Sequence, residues 1–413
     1  MPAAPLGLLL AGLLAVALSP ALAQTPQDAL FDDSAVAAVS LSMDPADWSA
    51  LQRKFRENTY YRAEFSWNGK VLANIGVRSH GGVSRLPTKP NLDVNFARYD
   101  QTQRLLGLPF LVLKANNRDP SNMREWISMA LFRKMGIPAP REAPARVTIN
   151  GALLGFYMIV EHVDETFLAD NFGESWGRLY KWRNRTNYEF DDLGPIPANY
   201  QPLLQFKSKQ GSGDWRDFAD FIQVVHRPAA PAKFVQASSR YFDPIAFLTH
   251  LAAENVLAEY DGMAGGLVGM NNFYLYQGKG STRYRIIPWD KDLTFSWLER
   301  DVLEGITLGK NINLLAKRLA GIPEFRYAYL RALAKAANLL GGTGGWADRE
   351  IEREYGVIRG SAVDDPNKWC FDHACGAEQF ETDVRWLHAF LSERSRNVLD
   401  GVAKAGHSGD RAP

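Results

Sequence analysis

Apolar and polar residues alternate along the first part of the chain, a pattern typical of β-strands. The runs Tyr60 to Trp67 and Val71 to Val77, joined at Asn68-Gly69, predict a β-hairpin. Val147 to Val160 predicts a second hairpin. Later the apolar period becomes helical, notably from Pro244 to Glu259. Because strand-rich sequence precedes helix-rich sequence instead of alternating with it, we predict an α+β fold with a β-rich N-terminal part and a helix-rich C-terminal part.

A short acidic segment ends the helical stretch. Glu259-Tyr260-Asp261-Gly262 runs into Gly-rich sequence, and Asn272 then opens a predicted strand. Phosphoryl transfer uses such a pair, because a carboxylate on a turn accepts the proton of the attacking hydroxyl and a nearby amide oxygen holds Mg²⁺. The alternative is an Asp that only caps a loop, and this segment taken alone favours that alternative.

Two further carboxylates, Asp290 and Asp292, follow the predicted strand from Tyr284 to Pro288. Residues two apart on an extended backbone point the same way. Like charges so placed repel unless a cation lies between them, and oxygen ligands suit Mg²⁺ or Mn²⁺. The apolar neighbours Trp289 and Leu293 indicate partial burial, which favours a metal site over a solvated pair of acids.

Charge and composition narrow the function. The 413 residues include 47 Lys and Arg against 46 Asp and Glu, and 46% are hydrophobic. That apolar content is ample for a buried core. Because positive and negative charges nearly balance, the chain has no overall positive charge that would attract nucleic acid or an anionic membrane. We therefore expect a globular protein that does not bind nucleic acid.

The start of the chain is typical of an export signal. Residues 1–23 contain no charged side chain, are rich in Leu and Ala, and end in Ala21-Leu22-Ala23, a signal-peptidase site. The apolar run is shorter than the roughly 20 residues that span a bilayer. We predict cleavage after Ala23 and a mature protein, without a transmembrane helix, in the periplasm or outside the cell. The mature domain is expected over residues 24–402, with a disordered tail at 403–413.

The chain has two cysteines, Cys370 and Cys375. In an oxidising compartment a pair without competitors most simply forms one local disulfide. The alternative is a metal site that adds His373, but a fourth ligand at a diagnostic spacing is missing. We predict the disulfide.

Several short motifs, taken in order, resemble the spore coat protein H (CotH) kinase family. They extend from about residue 30 to about residue 400, and their order carries the resemblance more than any one of them. The motifs include residues 77–85, Leu113-Lys114-Ala115-Asn116, residues 154–164, Gly177 to Lys181, Glu259 to Gly262, Asn272 to Tyr276, and Ile287 to Asp292.

The resemblance implies a divergent, two-lobed protein-kinase-like fold that uses ATP with Mg²⁺ or Mn²⁺ to phosphorylate Ser and Thr hydroxyls of proteins. Carried over by position, Asp261 resembles the catalytic base, while Asp290, with Asp292 beside it, and Asn272 resemble metal ligands. Lys181 resembles the lysine that contacts the phosphates. The remaining expected nucleotide contacts are Lys89, Ser84, Arg85 and Glu161.

The stretch between Asp261 and Asn272 is longer and richer in Gly than is usual in that family. A protein substrate, or envelope and coat proteins, are the expected partners. A non-catalytic exported scaffold, adhesin or coat-assembly protein with the same fold is the open alternative.

Two other enzyme classes fit less well. Asp290 to Thr294 matches the D-x-D-x-T signature of haloacid-dehalogenase-type phosphatases. That signature normally opens an α/β domain, whereas mostly helical sequence follows here. A serine hydrolase is disfavoured because the chain has no G-x-S-x-G motif.

Overall fold

The computed structural model describes residues 25–183, 187–209, 211–264 and 269–409. The predicted signal peptide at 1–23 and the Gly-rich residues 265–268 lie outside these ranges. Within them, strands dominate the first part of the chain and helices dominate the second. The fold is α+β, as predicted from the order of the patterns.

Seven strands close into a barrel in the order β1-β2-β3-β4-β5-β7-β6. Both predicted hairpins are present, as β2 with β3 and β6 with β7. Parallel pairing of β1 with β6 completes the closure. The strands are β1 (Ala37–Met43), β2 (Tyr61–Trp67), β3 (Lys70–His80), β4 (Asn91–Asn95), β5 (Phe110–Lys114), β6 (Glu142–Ile149) and β7 (Ala152–Glu161).

The barrel encloses a hydrophobic core of its own. Alternate residues of β1 and β2 are buried, among them Val39, Leu41 and Phe65. They pack in one cluster with Ile75 of β3 and Ile159 of β7. The alternation that predicts the hairpins is therefore the alternation that fills the barrel.

The rest of the chain packs around a second, larger core. A four-stranded sheet with the order β11-β10-β8-β9 lies in this part. Its strands are β8 (Arg178–Trp182), β9 (Leu204–Phe206), β10 (Phe273–Gln277) and β11 (Tyr284–Pro288). The α-helices of the chain are α1 (Pro45–Arg53), α2 (Arg124–Lys134), α3 (Glu165–Phe172), α4 (Arg216–His226), α5 (Pro231–Ser238), α6 (Pro244–Val256), α7 (Leu314–Ala320), α8 (Pro323–Leu340), α9 (Trp346–Val363) and α10 (Ala377–Gly409).

The start of α2 differs from the sequence prediction. The amphipathic pattern of residues 120–135 predicts a helix that starts at Pro120, but α2 begins at Arg124 because Asn122 has a left-handed backbone with φ of 59°. The Oδ2 of Asp119 accepts a hydrogen bond of 2.7 Å from the Arg124 N–H. Asp119 therefore caps the helix from before the turn that precedes Arg124, and not from the residue next to the first helical residue.

The end of the chain also differs. Disorder is predicted from residue 403, but α10 continues to Gly409. The extension is anchored because Ala405 is buried and its carbonyl accepts a bond of 2.9 Å from Arg326 of α8. Residues 410–413 lie outside the described part of the chain.

The two cysteines form the predicted disulfide, with their Cα atoms 5.8 Å apart. The bond closes a small hairpin of β12 (Trp369–Cys370) and β13 (His373–Ala374). Across the described ranges, no helix has the length and apolar character needed to cross a bilayer.

Candidate active site

A cleft of about 510 Å³ lies where barrel strands β3, β4, β5 and β7 approach strands β8 and β9. The segments that flank β10 and β11 complete its lining. Most of the residues expected from the sequence meet here, although they come from four separate stretches of the chain. Those that line it are Ser84, Arg85, Lys181, Asp261, Asn272, Asp290 and Asp292.

Asp261 lies on the turn that follows α6, and two amides hold its carboxylate. Its Oδ2 accepts hydrogen bonds from Asn271 Nδ2 at 2.9 Å and from Asn272 Nδ2 at 3.0 Å. Its buried Oδ1 has no hydrogen-bond partner within the described ranges. The long Gly-rich stretch therefore does not separate Asp261 from Asn272, and one carboxylate oxygen stays free to accept a proton.

Burial raises the pKa of Asp261, and the nearby negative charge of Asp290 adds to the rise, while the bonds from Asn271 and Asn272 oppose it. An acid with a raised pKa is a stronger base once ionised. Asp261 thus has the environment that a general base requires.

Asp290 and Asp292 share a lysine that sequence reasoning did not assign to the site. Lys114, the last residue of β5, bonds Asp290 Oδ1, and its Nζ lies 3.4 Å from Asp292 Oδ2. It also bonds Glu125 Oε2, in the first turn of α2. The cation expected between the two aspartates is thus supplied, at least in part, by the protein itself.

The two aspartates of this cluster have opposite pKa shifts. Burial raises the pKa of Asp290, but Lys114 beside it outweighs burial and holds the value at about 2. Burial raises the pKa of Asp292 to about 8, with the charges of Asp290 and Glu125 adding to the rise. The two carboxyls therefore lie in different electrostatic environments, although both lie close to Lys114.

Two site residues have a left-handed backbone conformation. The φ angle is 54° at Asp290 and 59° at Asn272. The segments meet, because the Trp289 N–H donates to the Asn272 carbonyl at 3.1 Å. Asn and Asp adopt this conformation more readily than most residues. Its energetic cost is found mainly at functional sites, where the backbone orients a particular side chain.

Basic side chains line the cleft near the acids. Lys181 on β8 has its Nζ 5.0 Å from the ring centroid of Trp289 and 5.4 Å from that of Tyr274. Burial lowers the pKa of Lys181 to about 8. Arg118 lines the cleft, and its buried Nε has no hydrogen-bond partner in the described part of the chain. A buried guanidinium N–H without an acceptor fits an anionic ligand such as a phosphate.

The Gly-rich loop after β3 forms part of the cleft lining, and Arg85 holds it together. Arg85 donates to the Gly81 carbonyl at 2.7 Å and to Asn58 Oδ1 at 2.6 Å. Gly81 has φ of 105°, a conformation that favours glycine. Arg85 therefore shapes the loop through bonds within the protein, and Ser84 beside it faces the cleft.

Comparison with known proteins identifies the family. A family model described as CotH kinase protein matches residues 77–398. The chain belongs to the CotH kinase protein family. It is also 24% identical over 369 residues to the inner spore coat protein H of Bacillus subtilis (strain 168), covering 88% of this chain and 96% of that protein.

Two solved structures show weaker likeness to this CotH chain. The proinflammatory kinase CtkA of Helicobacter pylori has 11% identity and a TM-score of 0.33, over 78% of this chain and 95% of that one. A complex of the toxin–antitoxin proteins HipA and HipB with operator DNA from Shewanella oneidensis MR-1 has 13% identity and a TM-score of 0.38, over 89% of this chain and 74% of that one. Both scores lie below 0.5, so neither likeness establishes a shared fold.

Two residues expected at the nucleotide from the CotH resemblance do not line the cleft. Lys89 is 1% exposed and donates to Asp365 Oδ2 at 2.6 Å, so a buried counter-charge holds its ammonium. Glu161, at the end of β7, bonds Arg141 at 2.6 Å and is also buried. Their partners fix both side chains in the structure, away from the cleft that holds Asp261.

The metal ligands expected from the CotH resemblance are Asp290, Asp292 and Asn272. No group of three or more His, Cys, Asp or Glu in the described ranges is arranged to hold a metal alone. All three expected ligands line the cleft, and the side chain of Asp290 is 41% exposed. A few oxygens of this kind suit Mg²⁺, which takes its other ligands from water and substrate phosphates.

Proposed function

We propose that this CotH protein transfers the γ-phosphate of ATP to Ser or Thr hydroxyls of a protein, with Mg²⁺ or Mn²⁺. The observation that carries the proposal is the bond between Lys114 and Glu125, in the same cleft as Asp261 and Asp290. Kinases use a strand lysine, paired with a helix glutamate, to hold the phosphates, and a separate Asp to receive the hydroxyl proton. The barrel would form one lobe of such a fold and the helix-rich part the other.

Each residue has a role in this proposal. Asp261 accepts the hydroxyl proton on its free Oδ1, and Lys114, Lys181 and Arg118 neutralise the phosphates. Asp290, together with the amide oxygen of Asn272, would hold the metal ion. The metal, when bound, would neutralise charge on the phosphate oxygens.

Asp292 would support the metal site beside Asp290. It is 6% exposed, and burial together with the charges of Asp290 and Glu125 raises its pKa. A bound divalent cation would offset those negative charges and favour the ionised carboxylate. In this proposal, Asp292 also stays close to Lys114.

The proposed location is outside the cytoplasm. The disulfide between Cys370 and Cys375 supports it, because such bonds persist in oxidising compartments. The predicted leader at residues 1–23 points the same way. The Bacillus relative is named as an inner spore coat protein, which supports coat or envelope proteins as substrates or partners.

The decisive experiment incubates the purified mature protein with γ-labelled ATP and Mg²⁺ or Mn²⁺, with and without an added protein acceptor. Label is expected on the wild-type chain or on the acceptor. Asp261→Asn is expected to lose at least about a hundredfold in rate while it still binds ATP, since removing the base leaves the phosphate contacts intact. Asp290→Asn is expected to lose both transfer and the metal dependence of nucleotide binding.

A second candidate function is a coat-assembly scaffold without turnover, favoured by the name of the Bacillus relative. It predicts that wild-type protein neither labels nor binds ATP with either metal. It also predicts that Asp261→Asn keeps every assembly property of the wild type. These two results together would replace the kinase proposal with the scaffold.

A further inference from the structure

A buried glutamate lies behind the acidic residues of the cleft and bonds to both segments that carry them. Glu254 belongs to α6 and is 1% exposed. Its Oε2 accepts from the Met263 N–H at 2.8 Å and from the Ala264 N–H at 3.2 Å. These amides belong to the turn that carries Asp261, so one oxygen of Glu254 fixes that turn to α6.

The other oxygen of Glu254 holds the second acidic segment. Glu254 Oε1 accepts from Lys291 Nζ at 2.8 Å, and Lys291 has no exposed surface. Lys291 stands between Asp290 and Asp292 in the chain, and its own N–H donates to Glu125 Oε1 at 3.3 Å. The acidic run is therefore tied to α6 through the Lys291 side chain and to α2 through its backbone.

The turn also packs tightly on Glu254. A Cβ placed on Gly262 would lie 2.7 Å from Glu254 Oε1 and 2.6 Å from Glu259 Cγ. Real Cβ atoms do not approach this closely, so only glycine fits between Asp261 and Met263 with Glu254 in place. The absence of a side chain at Gly262 lets the turn reach the carboxylate.

We propose that Glu254 is the positioning residue that sets the separation of Asp261 from the Asp290–Asp292 run, because a single carboxylate bonds both segments; its effect on rate rests on the phosphotransferase function proposed above. Glu254 does not line the cleft, so it acts through its neighbours. An error of about 1 Å in the placement of reacting groups costs up to about a hundredfold in rate.

The test compares Glu254→Gln with Glu354→Gln, a matched change of a buried glutamate on α9. A glutamine at 254 keeps the shape, but its amide oxygen can face either the turn or Lys291, so one set of bonds is lost. We expect kcat to fall about tenfold to a hundredfold. The KM for ATP should stay within about threefold, since Lys114, Lys181 and Arg118 lie on other elements. Glu354→Gln should keep the wild-type kcat.

A second readout does not depend on turnover. Hydrogen exchange at the amides of Met263 and Ala264 should become about tenfold faster in Glu254→Gln, because these amides lose a charged acceptor whichever way the glutamine side chain faces. Glu354→Gln should leave exchange at these two amides unchanged. Wild-type protein that transfers no phosphate counts against the proposed function alone, because the exchange measurement still tests whether Glu254 holds the turn.

The Lys291→Met variant cuts one of the two connections, and denaturant unfolding must show that it is folded, because Glu254 loses a buried counter-charge. It should also lower kcat, and the double variant with Glu254→Gln should lose less than the two single losses combined, because both act on one contact. The proposal is overturned if kcat falls no further than in Glu354→Gln, if the KM for ATP rises as much as kcat falls, or if exchange at Met263 is unchanged.

Discussion

Lys114 Nζ lies 3.4 Å from Asp292 Oδ2 and also bonds the carboxylate of Asp290. A side-chain cation therefore occupies the centre of the acidic cluster. The same ammonium bonds Glu125, so three carboxyls share one positive charge. The net negative charge that remains is what a divalent cation or the basic residues of the cleft would neutralise.

Removing that cation should abolish the proposed activity. In Lys114→Met, the carboxyls of Glu125 and Asp290 lose their counter-charge, and the pKa of Asp290 should rise from its value of about 2. We expect at least about a hundredfold loss of phosphate transfer, corresponding to about 2.7 kcal/mol. Labelling with γ-labelled ATP measures the rate. Lys335→Met, at an exposed position on α8, is the control, and equal rates for the two variants would refute the role of Lys114.

Lys89 and Lys181 should respond differently to the same substitution. Lys89→Met leaves Asp365 buried without its counter-charge, which should cost roughly 3 to 5 kcal/mol of stability. Its nucleotide affinity, measured on folded protein, should not change. Lys181→Met should bind ATP about tenfold more weakly and lose less stability. Denaturant unfolding and calorimetric titration separate the two effects, and a loss of affinity in Lys89→Met would restore Lys89 as a nucleotide contact.

Glu354 should make stability depend on pH. Burial raises the pKa of Glu354 from 4.5 to about 8, against the attraction of Arg353. Between these values the folded state holds a proton that the unfolded state has lost, so stability falls as pH rises, by at most about 1.4 kcal/mol per pH unit. In Glu354→Gln this contribution is absent. The variant should therefore gain stability relative to wild type as pH rises from about 5 to about 8.

Urea unfolding at several pH values measures this difference. Subtracting the wild-type curve cancels the other titrating groups, which both proteins share. Parallel curves across the whole window would show that Glu354 titrates normally in the folded state.

The disulfide should stabilise the hairpin and the loop that it contacts. The Phe371 N–H donates to the Asn117 carbonyl at 2.9 Å, and Asn117 Nδ2 donates to the Lys89 carbonyl at 3.0 Å. Replacing Cys370 and Cys375 by Ser should cost about 2 kcal/mol, the loop-closure value for so short a loop. Thermal unfolding of the double variant, compared with oxidised wild type, measures this, and reduced wild type should resemble the variant. A double variant as stable as the oxidised wild type would contradict the prediction.

Local patterns predicted both hairpins of the barrel and the helical character of the second part of the chain, because each element buries a regular stripe of side chains. The hairpin at Asn68-Gly69 and the helix from Pro244 are examples. The sequence did not predict β5 as a strand, and it placed the start of α2 too early, at Pro120, because the left-handed conformation of Asn122 delays that helix. Such a conformation depends on the fold around it more than on the residue itself.

The acids of the site could be predicted because Asp261, Asp290 and Asp292 stand beside strand and helix ends. Their partners could not. Lys114 lies 176 positions from Asp290, and Lys89 lies 276 positions from Asp365. Pairs this far apart follow from the closure of the barrel against the helices, which local patterns do not describe. Two signals for Lys114 were available, namely its position at the end of the apolar run of β5 and its place in the Leu113-Lys114-Ala115-Asn116 motif.

The left-handed backbone at Asn272 and Asp290 determines which natural changes these positions can accept. Asn or Gly in place of Asp290 would keep the turn and remove only the carboxylate. A β-branched residue such as Val or Ile would disturb the turn itself, because its Cβ substituents clash in that conformation. Relatives that have lost the ligand chemistry but kept the fold should therefore carry Asn, Asp or Gly at both positions, and rarely Val or Ile.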